Sequence, residues 1–200
     1  MIATPALPAD PATPWLALLR HPATPCASVQ ALQVHLRRDH AHRLQLTYQL
    51  RGGCASILLP KRSEHPGPEP ELWRHTCFEA FLGAGNSGAY HEFNFSPSGD
   101  WAVFAFSAWR RRTADCSQAL QPVISVSTAA TGICMHVDLP LPATARRQSG
   151  LLLGLSAVIE HADGRRCYWA LAHPCDDPDF HARAGWLYPL PPAPPDTPRP

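Results

Sequence analysis

Lysine is almost missing from this chain: Lys61 stands alone, and arginine carries the rest of the positive charge. The 17 basic and 16 acidic side chains nearly cancel. A nucleic-acid partner needs clustered positive charge to displace counterions from phosphates, so none is expected. No apolar run is long enough to cross a bilayer, so no membrane partner is expected either. The N-terminal segment has no positively charged start, and its apolar run, Trp15 to Leu19, is too short for a secretory signal. A cytoplasmic location is expected.

The seven cysteines (Cys26, Cys54, Cys77, Cys116, Cys134, Cys167 and Cys175) include no Cys-x-x-Cys pair. That argues against a structural zinc site, and the odd number argues against a secreted disulfide framework. Small buried thiols and no metal are expected. No repeat with a period of roughly 20–50 residues points to a propeller or solenoid. No long amphipathic helical pattern is present. The single close basic cluster, Arg110-Arg111-Arg112, reads as a solvated turn after a strand.

Proline is abundant, and it concentrates at the ends. It lacks a backbone N–H, so residues 1–14 and 189–200 are expected to be extended tails. The Pro/Ala-rich segment 1–26 then precedes a domain over 27–188, with Trp15–Leu19 pinned onto it, and 189–200 follows as a tail. A protein partner for that tail is left open.

Alternation dominates the interior. Leu32, Val34 and Leu36 share one face of a strand, and Leu44, Leu46, Tyr48 and Leu50 repeat the pattern. Gly52-Gly53 suggests a hairpin into Ser56–Pro60, and the proline-rich Lys61–Glu71 reads as a loop of the kind that often lies over a site. Phe78, Ala80 and Leu82 oppose Cys77, Glu79 and Phe81; His91, Phe93 and Phe95 oppose Tyr90, Glu92 and Asn94. Phenylalanine chooses the core, which leaves Tyr90, Glu92 and Asn94 on the other, exposed surface. Phe104 and Phe106 continue the aromatic packing, and alternation returns in Val123–Ser127, Ile133–Leu139, Leu151–Ile159 and Cys167–Ala172. About ten short strands separated by turn signals predict an all-β, antiparallel β-sandwich.

The ordered set LWRHTCFEAFLG, YHEFNFSPSGDWAVFAF and SAVIE…YWALAHP…PDFH resembles the bacterial DOMON-like domain family over roughly Gln33 to His181. That family is related to family 9 carbohydrate-binding modules and to haem-binding DOMON domains. The resemblance implies a jelly-roll-like sandwich that binds a sugar or haem and has no catalytic role. DOMON domains are typically exported, whereas this sequence shows no export signal. Met135, the one methionine inside the domain, shares parity with Ile133 and Val137, so no axial haem pair transfers. The acidic residues form no local calcium loop of the kind described for the sugar-binding relatives.

The candidate ligand-binding residues are Glu79, Tyr90, Glu92 and Asn94, flanked by Trp73, Arg74 and Trp101, with His173 and His181 from the late loop. Flat aromatic platforms beside convergent hydrogen-bonding groups suit a carbohydrate or a similar small polar molecule. Trp169 shares parity with Cys167 and Leu171 and reads as core. Haem is the alternative ligand. Two enzymatic alternatives remain: Cys77 as nucleophile with His75, His91 or His173 as base, or a Glu79/Glu92 pair, which glycoside chemistry requires at roughly 5–10 Å separation.

Overall fold

The main core lies between two layers of strands, each assembled from two separate stretches of chain. A computed structural model describes residues 14–39, 41–85, 87–146 and 148–190. Among them run twelve strands: β1 (Leu16–Arg20), β2 (Val29–Arg38), β3 (Arg43–Gly52), β4 (Cys77–Ala84), β5 (Tyr90–Phe95) and β6 (Trp101–Ala108) come first. Then follow β7 (Arg111–Asp115), β8 (Val123–Ala129), β9 (Gly132–Pro140), β10 (Leu151–Glu160), β11 (Arg166–Ala170) and β12 (Tyr188–Pro189), with one helical turn, Ala143–Arg146, before β10. Every strand pairing is antiparallel.

Hydrogen bonding runs in the order β7-β6-β5-β4-β10-β11-β1-β2-β3-β9-β8. The path doubles over at β1, which pairs with β2 through Leu16–Leu18 and with β11 through Leu19 and Arg20. One layer is therefore β4–β7 with β10 and β11; the other is β2, β3, β8 and β9. Alternate residues of both meet in the core: Leu32, Val34 and Leu36 from β2 and Leu44, Leu46, Tyr48 and Leu50 from β3 face Phe78, Phe93 and Phe95. The Tyr48 ring lies 5.1 Å from that of Phe78, and its hydroxyl donates to the Glu79 carbonyl at 2.8 Å, tying the layers together. This is the expected β-sandwich.

Several details differ from the sequence reading. Segment Ser56–Pro60 is not a strand: Cys54–Ser56 forms a 3-10 turn, and only Ile57 makes a bridge, to His161. The partner of β3 is β9, whose pairing occupies the edge that a third meander strand would need. The main core reaches back past Ala27, since Leu18 and Cys26 are buried in it. Phe104 and Phe106 do not continue the core of Phe93 and Phe95. Register places Trp101 opposite Phe95 and Val103 opposite Phe93, so Phe104 and Phe106 turn to the outer face. There they join Leu72, Cys77, Phe81, Tyr90 and Trp186 in a second apolar cluster. Three of the seven free thiols are buried, not all: Cys175 is exposed, and Cys54, Cys116 and Cys134 are half-buried. The tail residues 1–13 and 191–200 lie outside the described residues.

Candidate functional site: a covered recess on the outer face of one layer

Parity alone sends Cys77, Glu79 and Phe81 of β4 outward from the main core, together with Tyr90, Glu92 and Asn94 of β5. An outer face is ordinarily solvated, but here Glu79, Glu92 and Asn94 are only 2%, 6% and 0% exposed. The expected exposed surface is a buried one. The cover comes from the chain after β11. Trp186 lies over β10 at Gly154 and stacks on Phe81 at 5.7 Å, and its indole N–H donates to the Phe180 carbonyl at 2.9 Å.

Asp179 clamps this cover to the β6–β7 turn. One carboxylate oxygen accepts from the Arg110 guanidinium at 2.9 Å and from the His181 backbone N–H at 3.0 Å, and the other accepts from the Trp109 indole at 3.0 Å. The cover is incomplete, and a recess of about 360 Å³ remains. Clefts of this size hold small ligands. Aromatic rings of Trp73, Phe104, Phe106, Tyr168 and Phe180 form its walls, while Glu79, Glu92, Arg110, Arg112 and His181 supply the polar groups. Trp73, 43% exposed, stands at the rim.

The electrostatics follow from burial. Desolvation, then the neighbouring Glu92 charge, raises the Glu79 carboxyl well above the usual carboxylate range. Its Oε1 has no hydrogen-bond partner within the protein. Burial raises Glu92 as well, opposed by a 2.8 Å hydrogen bond from Asn94 Nδ2 and by Arg112 and Arg110. Arg112 lies 4.2 Å over the Phe104 ring. Desolvation, helped by Arg110, lowers His181 to about 4, so at neutral pH the imidazole is uncharged. The Tyr90 hydroxyl accepts from the Arg110 backbone N–H at 3.0 Å and is hydrogen-bonded to His181 Nδ1 at 2.7 Å. His181 Nε2 faces Glu92 Oε2, 3.7 Å away, a distance too long for a strong hydrogen bond. Two acidic groups, one neutral histidine and two guanidinium groups thus present both donors and acceptors to one small space.

Of the residues expected at the site, Trp73, Glu79, Glu92 and His181 line the recess together. Asn94 stands behind Glu92 as a support, and Tyr90 supports His181. Trp101 belongs to the main core instead, its indole donating to the Ser117 carbonyl at 2.9 Å. Arg74 points outward and pairs with Glu71 at 3.0 Å. His173 is elsewhere, with Nε2 on the Leu19 carbonyl at 2.8 Å and its ring edge-on to His21. Phe180, from the late PDFH segment, lines the recess as well, whereas Arg110, Arg112 and Tyr168 were not anticipated; the Arg110-Arg111-Arg112 cluster was the available signal for the first two.

The Cys77 alternative fails on chemistry. Its thiol is buried, and desolvation followed by the Glu79 charge pushes it well up, whereas a nucleophilic cysteine needs a depressed pKa. Its proposed bases are engaged elsewhere: His75 with Glu160 at 2.8 Å, His91 against Phe93, and His173 as above. Met135 is fully buried in the main core, remote in packing from the recess cluster.

Fold and recess together define a class: an antiparallel β-sandwich with an aromatic, carboxyl-lined hollow on the outside of one layer. Two solved structures share the fold. One, from Bacteroides uniformis ATCC 8492, is provisionally described as a carbohydrate-binding protein; it is 14% identical, with a TM-score of 0.58 over 87% of this chain and 84% of its own. The other is a family 9 carbohydrate-binding module from Caldicellulosiruptor kristjanssonii in complex with cellotriose, 10% identical, with a TM-score of 0.54 over 86% of this chain and 76% of its own. No protein-family model and no curated protein matches the sequence.

Proposed function

We propose that this protein binds a carbohydrate, or a polar small molecule of similar size, in the recess and does not transform it. The observation that carries the reading is the joining of aromatic walls to buried carboxyls of raised pKa. A protonated carboxyl both donates and accepts, as does a sugar hydroxyl, and apolar ring faces suit the C–H face of a pyranose. The carbohydrate-binding descriptions of the two fold neighbours support it, and kinship with DOMON-like domains is part of the same proposal. Haem is less well served. His181 is the sole imidazole lining the recess among the described residues, and its Nε2 faces the Glu92 carboxyl at 3.7 Å.

A second reading rests on the same two carboxyls. Glu79 and Glu92 line one recess as the pair of residue types glycoside chemistry uses. Glu79 is raised further and so suited to the acid role, and Glu92, beside Arg110 and Arg112, to the ionised one. Calorimetry and product analysis on one sample separate the two. With cellotriose as probe, Phe180→Ala and Arg112→Ala are each expected to weaken binding about tenfold, roughly 1.4 kcal/mol, with no shorter sugar released. Unchanged affinity in both variants would sink the binding site, and released product lost in Glu92→Gln would favour the enzyme.

A further inference from the structure

A second cluster lies outside the recess, where the β1–β2 loop meets the β10–β11 turn. Cys26 comes from that loop, Cys167 from β11, and His161 from the first position after β10. His161 Nε2 lies 3.1 Å from Cys26 Sγ and 3.5 Å from Cys167 Sγ. All three ligand atoms fall within 4.8 Å of one another. We propose that Cys26, His161 and Cys167 form a binding site for a zinc-class divalent cation, with a fourth position open to solvent.

The geometry fits. Zinc bonds to sulfur at ~2.3 Å and to imidazole nitrogen at ~2.0–2.1 Å, so a tetrahedral ion separates S from N by about 3.6 Å and S from S by about 3.8 Å. The observed S–N separations of 3.1 and 3.5 Å lie close to the first value, and the two sulfur atoms are within 4.8 Å of each other. Two thiolates balance a divalent charge, and thiolate with imidazole is a donor set that zinc favours. Ser28 Oγ stands 3.5 Å from His161 Nδ1, which aims the other nitrogen at the thiols, as outer partners of metal-bound histidines do.

The backbone is fixed on all sides. His161 N–H donates to the Arg165 carbonyl at 2.8 Å and Gly53 N–H to the Ser28 carbonyl at 3.0 Å, while Arg20 donates to the Cys26 carbonyl at 3.2 Å. A cavity of about 500 Å³, lined by Cys26, Ser28 and His161, gives an ion and its fourth ligand a way in. The missing Cys-x-x-Cys spacing hid this set, because its cysteines come from segments far apart in the chain.

The test is titration of the full chain, reduced under anaerobic conditions, with Co²⁺ as a visible stand-in for zinc. One equivalent should bind, giving tetrahedral ligand-field bands and thiolate-to-cobalt charge transfer, and Zn²⁺ should bleach both. Cys26→Ser and Cys167→Ser should each weaken uptake more than tenfold, and Ser28→Ala about tenfold. Cys134→Ser, which removes a thiol 3.5 Å from His136 Nε2, should leave it unchanged. Absence of thiolate charge transfer in the wild-type protein overturns the proposal whether or not the variants fold. So does an unaltered spectrum in the Cys26→Ser/Cys167→Ser double variant, or a Cys26–Cys167 disulfide formed in air by protein that ignored Co²⁺ when reduced.

Discussion

Gly154→Val should cost about 3–5 kcal/mol of stability and weaken the proposed binding of a sugar in the recess at least tenfold. A Cβ at position 154 would sit 2.4 Å from Trp186 Cδ1 and 2.8 Å from Nε1, far inside contact distance. The strand cannot retreat, because β10 is paired with β4 along its length from Leu151 to Val158. The indole must leave, and displacing a buried tryptophan costs as much as truncating one. It takes with it the stacking on Phe81 and the hydrogen bond to the Phe180 carbonyl, so Phe180 and His181 lose their placement. Urea unfolding reads the first effect and calorimetric titration with cellotriose the second, while the NMR signal of the Trp186 indole N–H reads the displacement that links them. A valine variant with wild-type midpoint and an unshifted indole signal would show that Trp186 does not hold the cover.

A second large effect should appear in acid. The His181 imidazole titrates near 4 in the folded chain and at an ordinary 6.5 when unfolded. Its contribution is therefore full above pH 6.5 and is lost as pH falls through 4, where the unfolded chain takes the proton first; over that window the loss is about 3 kcal/mol. Glu79 and Glu92 act in the opposite sense. Their folded pKa values are raised, so their contribution is full below 4.5 and is lost as pH rises through the folded values. The net profile is partly cancelled, and substitution separates the parts. His181→Gln should lose the acid limb, so that its stability relative to wild type improves by about 3 kcal/mol between pH 7 and pH 4. Glu79→Gln should be more stable than wild type at pH 8, where it replaces a carboxyl that burial holds against ionisation. Urea unfolding across the pH series checks both, and a His181→Gln difference that stays flat with pH would contradict the neutral, buried imidazole.

The layer assignments were legible because alternation has a period of two and phenylalanine chooses a side. Glu79 and Glu92 were found this way, on the face turned from Phe78 and Phe93. Whether that face is wet or covered was not legible. Its cover comes from Phe180 to Trp186, almost a hundred residues further along the chain, held by an Asp179 clamp that involves no periodic pattern. Trp101 was misassigned for a related reason: its neighbours in sequence include Phe104 and Phe106, but pairing with Phe95 turns it to the opposite side. Register, not composition, decides that. The arginines after β6 looked like a solvated turn because nothing local shows that Arg110, at positive φ, folds back beneath Asp179. His173 and His181 looked equivalent in one loop, yet only His181 reaches the recess.

We have proposed that the recess between Trp73, Glu92, Arg112 and Phe180 takes up a saccharide. Titrating the isotopically labelled wild-type protein with neutral oligosaccharides, cellotriose among them, while following backbone and indole NMR signals tests it most directly. Saturable shifts should centre on the Trp73 indole and on the amides of Phe104, Arg112, Phe180 and His181, leaving Trp101 and His173 still. Saturable shifts centred on Trp101 or His173, or none with any sugar, would contradict it.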